Sequence, residues 1–355
     1  MNPCMILIIC DLKTIFKVLR RKLHNIAILF KILKNPWTAL MVYLGLRKGG
    51  LVHLKNGASL FVSHDNWSND FLLLKMLIDH SNVDLREDTI FIKPLNLSFN
   101  RVNEVEWAHQ IYGNLKELTN FTATRLNPNE LIVSFNYNGH NVKFVIPIEY
   151  SGSFLESYKY NIYLPLNVKD TVVIDVGASF GDTPMYFLLN GAKYVIAVEP
   201  YEFIFKYLMK NIELNNVRDR ILPLNKAVWS RTGMSTLYEG WFTLTAYKTG
   251  KQITVSTITL SDLISYALKI GDRIKIKLDC EGCEYEAIPE ALNSGALNNV
   301  EEIIMEVHEN NSVNTINLLN MLNSHGFKVR IINCIRQNKP YKRVYLVKVT
   351  KGDKQ

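Results

Sequence analysis

The sequence is poor in cysteine and has no long apolar run near its start. Five cysteines occur among its 355 residues, at Cys4, Cys10, Cys280, Cys283 and Cys334. So few cysteines, so widely spaced, exclude a small fold held together by a disulfide framework. The apolar run at residues 5–10 is far shorter than the ~20 residues that cross a bilayer, and Asp11 follows it without a small-residue cleavage site. We therefore expect a cytoplasmic protein.

Acidic residues are scarce only in the first 50 positions. Asp11 is the single acid there against nine Lys or Arg, so this segment has a net charge of +8, equal to that of the whole chain. The remaining residues balance, with 32 basic and 32 acidic side chains. The pI of about 9.0 therefore reflects the N-terminal segment alone. No nucleic-acid partner is expected for the rest of the protein.

Apolar residues in this basic segment recur at alternating spacings of three and four, which predicts an amphipathic helix. They are Phe16, Leu19, Leu23, Ile26, Phe30 and Leu33. Basic residues fall largely between them, at Lys17, Arg20, Arg21, Lys22, Lys31 and Lys34. One interpretation is peripheral contact of residues 13–34 with an anionic membrane, at its inner face, or with a partner. The other, which we favour, is a helix docked on its own protein with a solvated cationic face.

The chain divides into three predicted parts. Residues 1–50 form the basic amphipathic helical segment, residues 51–150 an accessory α+β region, and residues 151–355 the main domain. The accessory region contains Asn138-Gly139 between two β-rich stretches, which is the strongest short signal for a hairpin, here over 131–147. We expect this region to form a lid or acceptor side. The oligomeric state is not predicted.

The main domain shows short apolar runs alternating with helix-length amphipathic stretches, which indicates βαβ units around a parallel sheet. The predicted strands cover 171–176, 194–199, 220–228, 273–279, 301–307, 327–333 and 342–349. The predicted helices cover 182–190, 201–214, 259–269, 284–292 and 312–324, and a strand-rich insertion covers 233–257. The last two strands lack a helix between them and should form an antiparallel hairpin at the sheet edge. The fold class is therefore α/β, a Rossmann-like doubly wound seven-stranded sheet whose last strand is antiparallel, with an N-terminal α+β extension.

The first βα turn of this sheet has the residues of a cofactor-binding turn. Gly177 suits a positive φ, and Gly181 lets a ligand approach the start of the next helix. Ser179 stands where a dinucleotide site needs its middle glycine, and Asp175 would repel a phosphate but suits an ammonium group. Glu199, 24 residues after Asp175, can accept both hydroxyls of a ribose. Together these residues favour S-adenosylmethionine, although the glycines could merely shape a buried turn and Glu199 could cap the next helix.

The segment from about 150 to 350 resembles the FkbM family of S-adenosylmethionine-dependent methyltransferases. The segments that carry the resemblance are VVIDVGASFGDTPMYF from residue 172, AVEP from 197, NKAVW from 225, VSTITLSDLI from 255, IKLDCEGCEYEAI from 276 and EEIIMEVH from 301. The resemblance implies methyl transfer, most often to a sugar or other hydroxyl oxygen, and places Asn225 and Ala227 beside the adenine. The expected cofactor-binding residues are Asp175, Gly177, Ala178, Gly181, Glu199, Pro200, Asn225 and Ala227. The resemblance covers little of residues 1–130.

Acids cluster where the fourth strand ends and a helix begins, at Asp279, Glu281 and Glu284. Glu306 and His308 share one face of the next strand, because they are two residues apart. A general base fits this cluster, and Asp279, Glu281 and His308 are the predicted catalytic residues. A divalent metal also fits, with Asp279, Glu281, Glu306 and His308 as candidate ligands. The alternative is that Glu281 and Glu284 only cap the helix.

Cys280 and Cys283 form C-x-x-C within the same segment. No second pair completes a zinc set. We interpret them as small buried apolar residues, with a redox-sensitive site as the alternative.

The leading hypothesis is an O-methyltransferase acting on a sugar, glycan or other small-molecule acceptor. Tyr150, Glu156 and Tyr158 are candidate acceptor contacts. One alternative is a noncatalytic binding protein or membrane-docked scaffold that keeps the fold. Another is a nicotinamide-dependent oxidoreductase, which the missing middle glycine and the terminal strand hairpin disfavour.

Overall fold

The computed structural model describes residues 3–79, 81–240, 243–248, 250–309, 315–336 and 343–352. Its α-helices are α1 (Pro3–Ile32), α2 (Pro36–Tyr43), α3 (Trp67–Leu77), α4 (Val105–Glu117), α5 (Asp182–Leu189), α6 (Glu202–Leu214), α7 (Leu260–Leu268), α8 (Glu284–Asn293) and α9 (Thr315–Ser324). The first ten strands are β1 (Gly49–His53), β2 (Ser59–Ser63), β3 (Val83–Arg86), β4 (Thr89–Ile92), β5 (Leu97–Asn100), β6 (Thr119–Asn127), β7 (Glu130–Tyr137), β8 (His140–Pro147), β9 (Val172–Val176) and β10 (Tyr194–Val198). The others are β11 (Ile221–Leu224), β12 (Ala227–Val228), β13 (Gly233–Glu239), β14 (Leu244–Thr245), β15 (Gln252–Ile258), β16 (Ile274–Leu278), β17 (Val300–Glu309), β18 (Phe327–Arg336) and β19 (Arg343–Lys351).

Some predicted positions lie outside the described residues. They are 312–314 in the last helix, 342 at the start of the last strand, and 241, 242 and 249 in the insertion. No helix in the described part of the chain is both long enough and apolar enough to cross a membrane.

Two compact units make up the chain. One contains residues 1–10, 136–146 and 153–355, and the other contains residues 11–135 and 147–152. The predicted basic segment therefore does not form a unit of its own, since most of it groups with the accessory region. The tip of the predicted hairpin groups with the main domain.

The main domain is built on a seven-stranded sheet in the order β11-β10-β9-β16-β17-β19-β18. Strands β9, β10, β11, β16 and β17 pair in parallel, whereas β19 pairs antiparallel with both of its neighbours. Every residue of β9 and of β16 is buried, as expected for strands covered by helices on both faces. The predicted α/β class and the antiparallel last strand are confirmed.

The predicted third strand, 220–228, is two strands in the structure. Its first part, β11, belongs to the large sheet, whereas β12 joins a four-stranded sheet with the order β12-β15-β13-β14. The chain turns at Asn225, whose side-chain amide donates to the carbonyl oxygens of Glu199 (2.9 Å) and Pro200 (3.2 Å). The predicted insertion therefore forms a small sheet beside the carboxyl edge of the large one.

The predicted hairpin is present as β7 and β8. Its turn residues Asn138 and Gly139 have φ values of 49° and 81°, the pair of left-handed conformations that a tight hairpin turn needs. Two asparagine side chains of α6 form hydrogen bonds with the backbone of β8, as a neighbouring strand does in a sheet. Asn211 bonds both the N–H and the C=O of Val145 (2.7 and 3.0 Å), and Asn215 does the same for Lys143 (3.1 and 2.7 Å).

The unit of residues 11–135 and 147–152 contains two small antiparallel sheets, β1-β2 and β3-β4-β5. Helix α1 buries Leu29 against this unit, and Leu33 just beyond its end is buried too. Most of the predicted apolar face of α1 is not buried. Phe16, Leu19 and Leu23 are 68%, 51% and 59% exposed, so the interpretation that we favoured, a helix docked on its own protein, does not hold for them.

Candidate functional site

The turn between β9 and α5 has the close-packed backbone that its glycines predict. Gly177 and Gly181 have φ values of 79° and 98°, and Ser179 between them has a φ of 48°. A Cβ at Gly177 would overlap the carbonyl oxygen of Asp279 at the end of β16. A Cβ at Gly181 would lie 2.9 Å from Leu208 Cδ1. Glycine is therefore required at both positions for the turn to pack against its neighbours.

Glu199 at the end of β10 fixes this turn. Its carboxylate accepts the backbone N–H of Ser179 (3.0 Å) through one oxygen and that of Tyr201 (2.8 Å) through the other. Burial raises the pKa of Glu199 to about 7, although the two N–H donors and Lys277 act in the opposite direction. Each carboxylate oxygen retains a second lone pair for a ligand.

A pocket opens at this edge of the sheet. Gly177, Glu199, Pro200 and Ala227 line it, together with Asp279. Its remaining lining residues are Val176, Lys226, Val228, Trp229, Leu237, Thr243, Leu244, Cys280 and Cys283. The structure thus brings four predicted cofactor residues and one predicted catalytic residue into a single pocket.

The other predicted cofactor residues make contacts within the protein. Asp175, Ala178, Gly181 and Asn225 are not among the described residues that line it. Ala178 is fully buried, and its N–H donates to the carbonyl oxygen of Val198 (3.0 Å). Asn225 holds the turn at Glu199 and Pro200 through the two hydrogen bonds described above. Their assignment to cofactor binding stays a prediction.

Lys277 on β16 is a site residue that sequence reasoning missed. Its side chain is 2% exposed, and Nζ lies 3.2 Å from Asp175 Oδ1. The ammonium also donates to the carbonyl oxygens of Gly177 (2.7 Å) and Val176 (3.3 Å), and Thr183 Oγ1 donates to the other oxygen of Asp175 (2.6 Å). Asp175 is therefore paired with a cation of the protein, whereas the sequence argument placed the ammonium group of the cofactor beside it.

A line of three ionisable groups crosses the ends of β16 and β17. His308 Nδ1 lies 3.3 Å from Glu284 Oε1, and His308 Nε2 lies 3.8 Å from Asp279 Oδ1. Glu284 is fully buried, and it also accepts the backbone N–H of Gly282 (2.9 Å) and that of His308. Glu284 therefore joins the turn after β16 to His308, in addition to beginning α8.

The carboxyl groups around His308 favour its charged form. Burial disfavours its charged form, but Glu284, Glu281 and Asp279 outweigh burial and raise its pKa to about 10. A protonated histidine acts as an acid or as a positioning group, whereas a base or a metal ligand needs the neutral ring. The role of His308 as a catalytic residue stays a prediction.

Two further acids share the site. Burial raises the pKa of Glu281 to about 7 and that of Glu306 to about 8, with repulsion from Asp279 adding to both. Asp279, Glu306 and His308 each present a potential ligand atom within 4.8 Å of the others. Glu281 is not part of that group, so three of the four predicted metal ligands come together.

The turn between β16 and α8 is tightly constrained. Cys280 and Cys283 form a disulfide, where we had interpreted them as separate buried apolar residues. Glu281 and Gly282 have φ values of 56° and 113°. The insertion packs on this turn, since Thr245 Oγ1 and the Ala246 N–H donate to the carbonyl oxygen of Glu281 (2.8 and 3.1 Å).

The candidate acceptor residues have different environments. Tyr158 is buried, and its hydroxyl donates to the carbonyl oxygen of Asp182 (2.8 Å). Tyr150 is also buried, whereas Glu156 is exposed. Tyr163, which sequence reasoning passed over, donates to Asp279 Oδ2 (3.4 Å).

A doubly wound sheet with a glycine turn after β9 and an acid at the end of β10 is the arrangement of a cofactor-binding α/β domain. Residues 175–329 match the family model of the methyltransferase FkbM domain. The resemblance noted from the sequence is thus confirmed over these residues. The methyl donor that the resemblance implies is S-adenosylmethionine.

Several solved structures are similar at low sequence identity. TYW2 from P. horikoshii in complex with MeSAdo is 16% identical, with a TM-score of 0.38 and coverage of 78% of this chain and 95% of that one. Sp1610 from Streptococcus pneumoniae, described as a tRNA (m1A22) methyltransferase and bound to S-adenosyl-L-methionine, is 16% identical, with a TM-score of 0.34 and coverage of 56% and 74%. TrmK from M. capricolum, bound to S-adenosyl-homocysteine, is 14% identical, with a TM-score of 0.33 and coverage of 54% and 68%. Comparison with curated proteins found no match.

Proposed function

We propose that this protein transfers a methyl group from S-adenosylmethionine to a hydroxyl oxygen of a sugar, a glycan or another small polyhydroxylated acceptor. The observation that carries the proposal is the position of Asp279, which lines the pocket and whose side chain is 27% exposed. A hydroxyl loses its proton when its oxygen takes a methyl group, so the site needs a nearby acceptor for that proton.

The described residues fit the cofactor in two places. Glu199 lines the pocket, and each of its carboxylate oxygens can accept a second hydrogen bond, as a ribose with two hydroxyls requires. Ala227, Leu237 and Leu244 belong to one apolar cluster against which Trp229 packs, and this apolar wall suits the adenine ring. When bound, the cofactor supplies an electrophilic methyl group on a positively charged sulfur.

Asp279 is our choice for the proton acceptor. His308 Nε2 lies 3.8 Å from one oxygen of Asp279, and Glu284 contacts the opposite nitrogen of the ring, 3.3 Å away. Lys277 Nζ lies 3.9 Å from the other side of Asp279. Orientation of the acceptor oxygen in line with the methyl group supplies the rest of the rate enhancement. Because Asp279 lines the pocket, we propose a general base for this cluster, with a divalent metal at Asp279, Glu306 and His308 as the alternative.

The carboxyl groups of the site favour one class of acceptor. Asp279, Glu281 and Glu306 lie at the carboxyl edge of the sheet, where ionised groups accept hydrogen bonds from hydroxyls and repel phosphates, and protonated groups can also donate to hydroxyls. We therefore expect neutral polyhydroxylated acceptors to be preferred over phosphorylated ones.

The test has two arms. Calorimetric titration with S-adenosylmethionine and with NAD checks the cofactor, and release of S-adenosylhomocysteine with a panel of sugars, phenols and amines checks the acceptor. We expect binding of S-adenosylmethionine alone and turnover with sugar hydroxyls. Failure to bind S-adenosylmethionine, or turnover confined to amines, would contradict the proposal.

Asp279→Asn tests the base. A general base contributes about 10²-fold to 10⁴-fold, so we expect kcat to fall at least about 100-fold while the affinity for S-adenosylmethionine changes little. The matched control is Asp272→Asn, an exposed residue just before β16, which should leave kcat unchanged. Equal kcat values in the two variants would exclude Asp279 as the base.

A further inference from the structure

The N-terminal helices expose an apolar face that continues from α1 onto α2. On α1 it consists of Phe16, Leu19, Leu23 and Phe30. The last three lie 3, 7 and 14 positions after Phe16, so all four fall on one side of the helix and form a stripe. These four side chains are between 38% and 68% exposed. Ordinary exposed apolar residues are scattered singly, whereas a contiguous set marks a contact surface.

Helix α2 extends the same stripe. Trp37, Met41 and Leu44 follow each other at spacings of four and three and are 65%, 43% and 56% exposed. The opposite side of α2 buries Ala39 and Val42. The two helices are joined in this surface by an edge-on contact between the rings of Phe30 and Trp37, whose centroids are 5.1 Å apart. Below, these seven residues of α1 and α2 are called the N-terminal apolar face.

Positive charge surrounds the N-terminal apolar face. The exposed basic residues are Arg20, Arg21, Lys22, Lys31, Lys34, Arg47 and Lys48. The sequence contains no Asp or Glu from position 12 to position 64, so nothing acidic in this stretch offsets them. On a helical projection Arg20 and Lys31 border the α1 stripe on one side and Lys22 on the other. An apolar stripe between cationic borders is the arrangement of a helix that lies in a membrane interface.

We propose that the N-terminal apolar face docks on an anionic lipid bilayer, with α1 and α2 parallel to the membrane plane. The apolar side chains enter the region between headgroups and acyl chains, and the arginines and lysines contact anionic headgroups. A tryptophan such as Trp37 is suited to that depth because its ring is apolar and its N–H can bond a headgroup. This inference is independent of the proposed methyl transfer.

The charge of this segment favours an anionic membrane over a second copy of the chain as the binding partner. The net charge of +8 in the first 50 residues equals that of the whole chain, so two copies meeting face to face would bring like charges together. An anionic membrane attracts this charge instead. The binding should therefore require both anionic lipid and low salt, because exposed charges separated by more than the Debye length are screened.

The test is co-sedimentation of the full chain with vesicles of phosphatidylcholine alone and of phosphatidylcholine with phosphatidylglycerol. We expect partition onto the anionic vesicles to be at least tenfold stronger, and to be lost when salt rises from about 0.1 M to about 1 M. The emission of Trp37 should shift to shorter wavelength on binding, and Trp37→Phe should remove that shift. Equal partition onto both kinds of vesicle would overturn the proposal.

Two double variants distinguish binding through the N-terminal apolar face from nonspecific adsorption to lipid. Leu19→Glu with Leu23→Glu should lower partition at least tenfold. Val102→Glu with Leu126→Glu, at residues 71% and 52% exposed elsewhere in the same unit, should leave it unchanged. Equal loss in both double variants would contradict the proposal.

Two further measurements test whether the variants are folded and whether the chain self-associates. Circular dichroism and urea unfolding check that each variant is folded. Arg20→Gln with Lys31→Gln serves if the glutamate variant is not folded, and it too should weaken partition. Sedimentation equilibrium in the absence of lipid should give the same mass for wild type and for Leu19→Glu with Leu23→Glu. A wild-type dimer that this variant converts to monomers would show that a second copy covers the face, and would refute membrane docking.

Discussion

Lys277 and Asp175 form an ion pair in the centre of the sheet, where neither charge reaches water. Their mutual attraction and the hydrogen bonds from Thr183 and to two backbone carbonyl oxygens offset the cost of burying them. Burial raises the pKa of Asp175, against the effect of Lys277, and the surrounding acids outweigh burial to raise that of Lys277. Each partner is therefore stable in its charged form only because the other is present.

Lys277→Met should lower the free energy of unfolding by about 3 kcal/mol, because it leaves Asp175 buried without its cation. Adding Asp175→Asn should recover part of that loss, since the uncompensated charge is then gone. Urea unfolding of the single and double variants measures both effects. Lys206→Met, at an exposed i,i+4 pair with Glu202, is the control and should cost no more than about 0.5 kcal/mol. A double variant less stable than Lys277→Met would contradict this account.

Glu199 should make cofactor affinity depend on pH. Its pKa is raised to about 7 by burial, so the carboxyl is protonated below that pH and loses acceptor capacity for a ribose hydroxyl. The affinity for S-adenosylmethionine should therefore fall about tenfold per unit as pH drops below 7. Calorimetry between pH 5.5 and 8.5, an interval of about 1.5 units on either side of that pKa, measures it.

Glu199→Gln is the control for this pH dependence. It should bind weakly at every pH and show a smaller slope than wild type, because the titrating group has been removed. A slope unchanged by the substitution would assign the titration to another group, or to the cofactor itself.

The turn between β16 and α8 is the element on which the site depends most. It supplies Asp279 to the pocket, Glu281 to the rim and the N–H of Gly282 to Glu284, and the Cys280–Cys283 disulfide closes it. A cross-link over so short a loop stabilises by about 2 kcal/mol through the entropy of the unfolded chain.

Cys280→Ser with Cys283→Ser should therefore lower the free energy of unfolding by about 2 kcal/mol. It should also weaken S-adenosylmethionine binding, since both cysteines line the pocket. Treatment of wild type with dithiothreitol should reproduce the loss of affinity, and the double variant should not respond to it. Calorimetry with and without the reductant measures the affinity of both proteins for S-adenosylmethionine. An equal loss of affinity in both proteins would show that the reductant acts elsewhere.

Elements that depend on neighbouring residues could be predicted from the sequence, whereas those that depend on long-range packing could not. Strands β9, β10 and β16 were predictable because buried parallel strands form short runs of mostly apolar residues, and the hairpin turn because Asn138-Gly139 has few alternatives. The role of Lys277 could not be predicted, because nothing in the local sequence Ile-Lys-Ile-Lys-Leu distinguishes a buried lysine from a solvated one. The pocket wall from Leu237 and Leu244 depends on how the insertion folds back, which is a long-range property. The periodicity of α1 showed an apolar stripe but not which side faces its own protein.

At the scale of the whole molecule, the pocket residues all fall within the unit that contains residues 153–355. A ligand that binds only the folded state stabilises it by RT ln(1 + [L]/Kd), about 2.7 kcal/mol at 100 times Kd. S-adenosylmethionine should therefore delay unfolding of that unit. Hydrogen exchange at 100 times Kd should show slower exchange in β9, β10 and β16, and NAD at the same concentration should have no effect. Equal protection by NAD would contradict the cofactor assignment.

The position of β19 between β17 and β18 sets an order of events during synthesis. A nascent chain can pair β9, β10, β11, β16 and β17 while still attached to the ribosome, but the open edge of β17 stays unpaired until residues 343–351 have emerged. Strand β18 leaves the ribosome first yet has no sheet partner until β19 arrives. An exposed edge of this kind can recruit strands from other chains. Premature termination between β18 and β19 would therefore yield an aggregating product, not a smaller working domain.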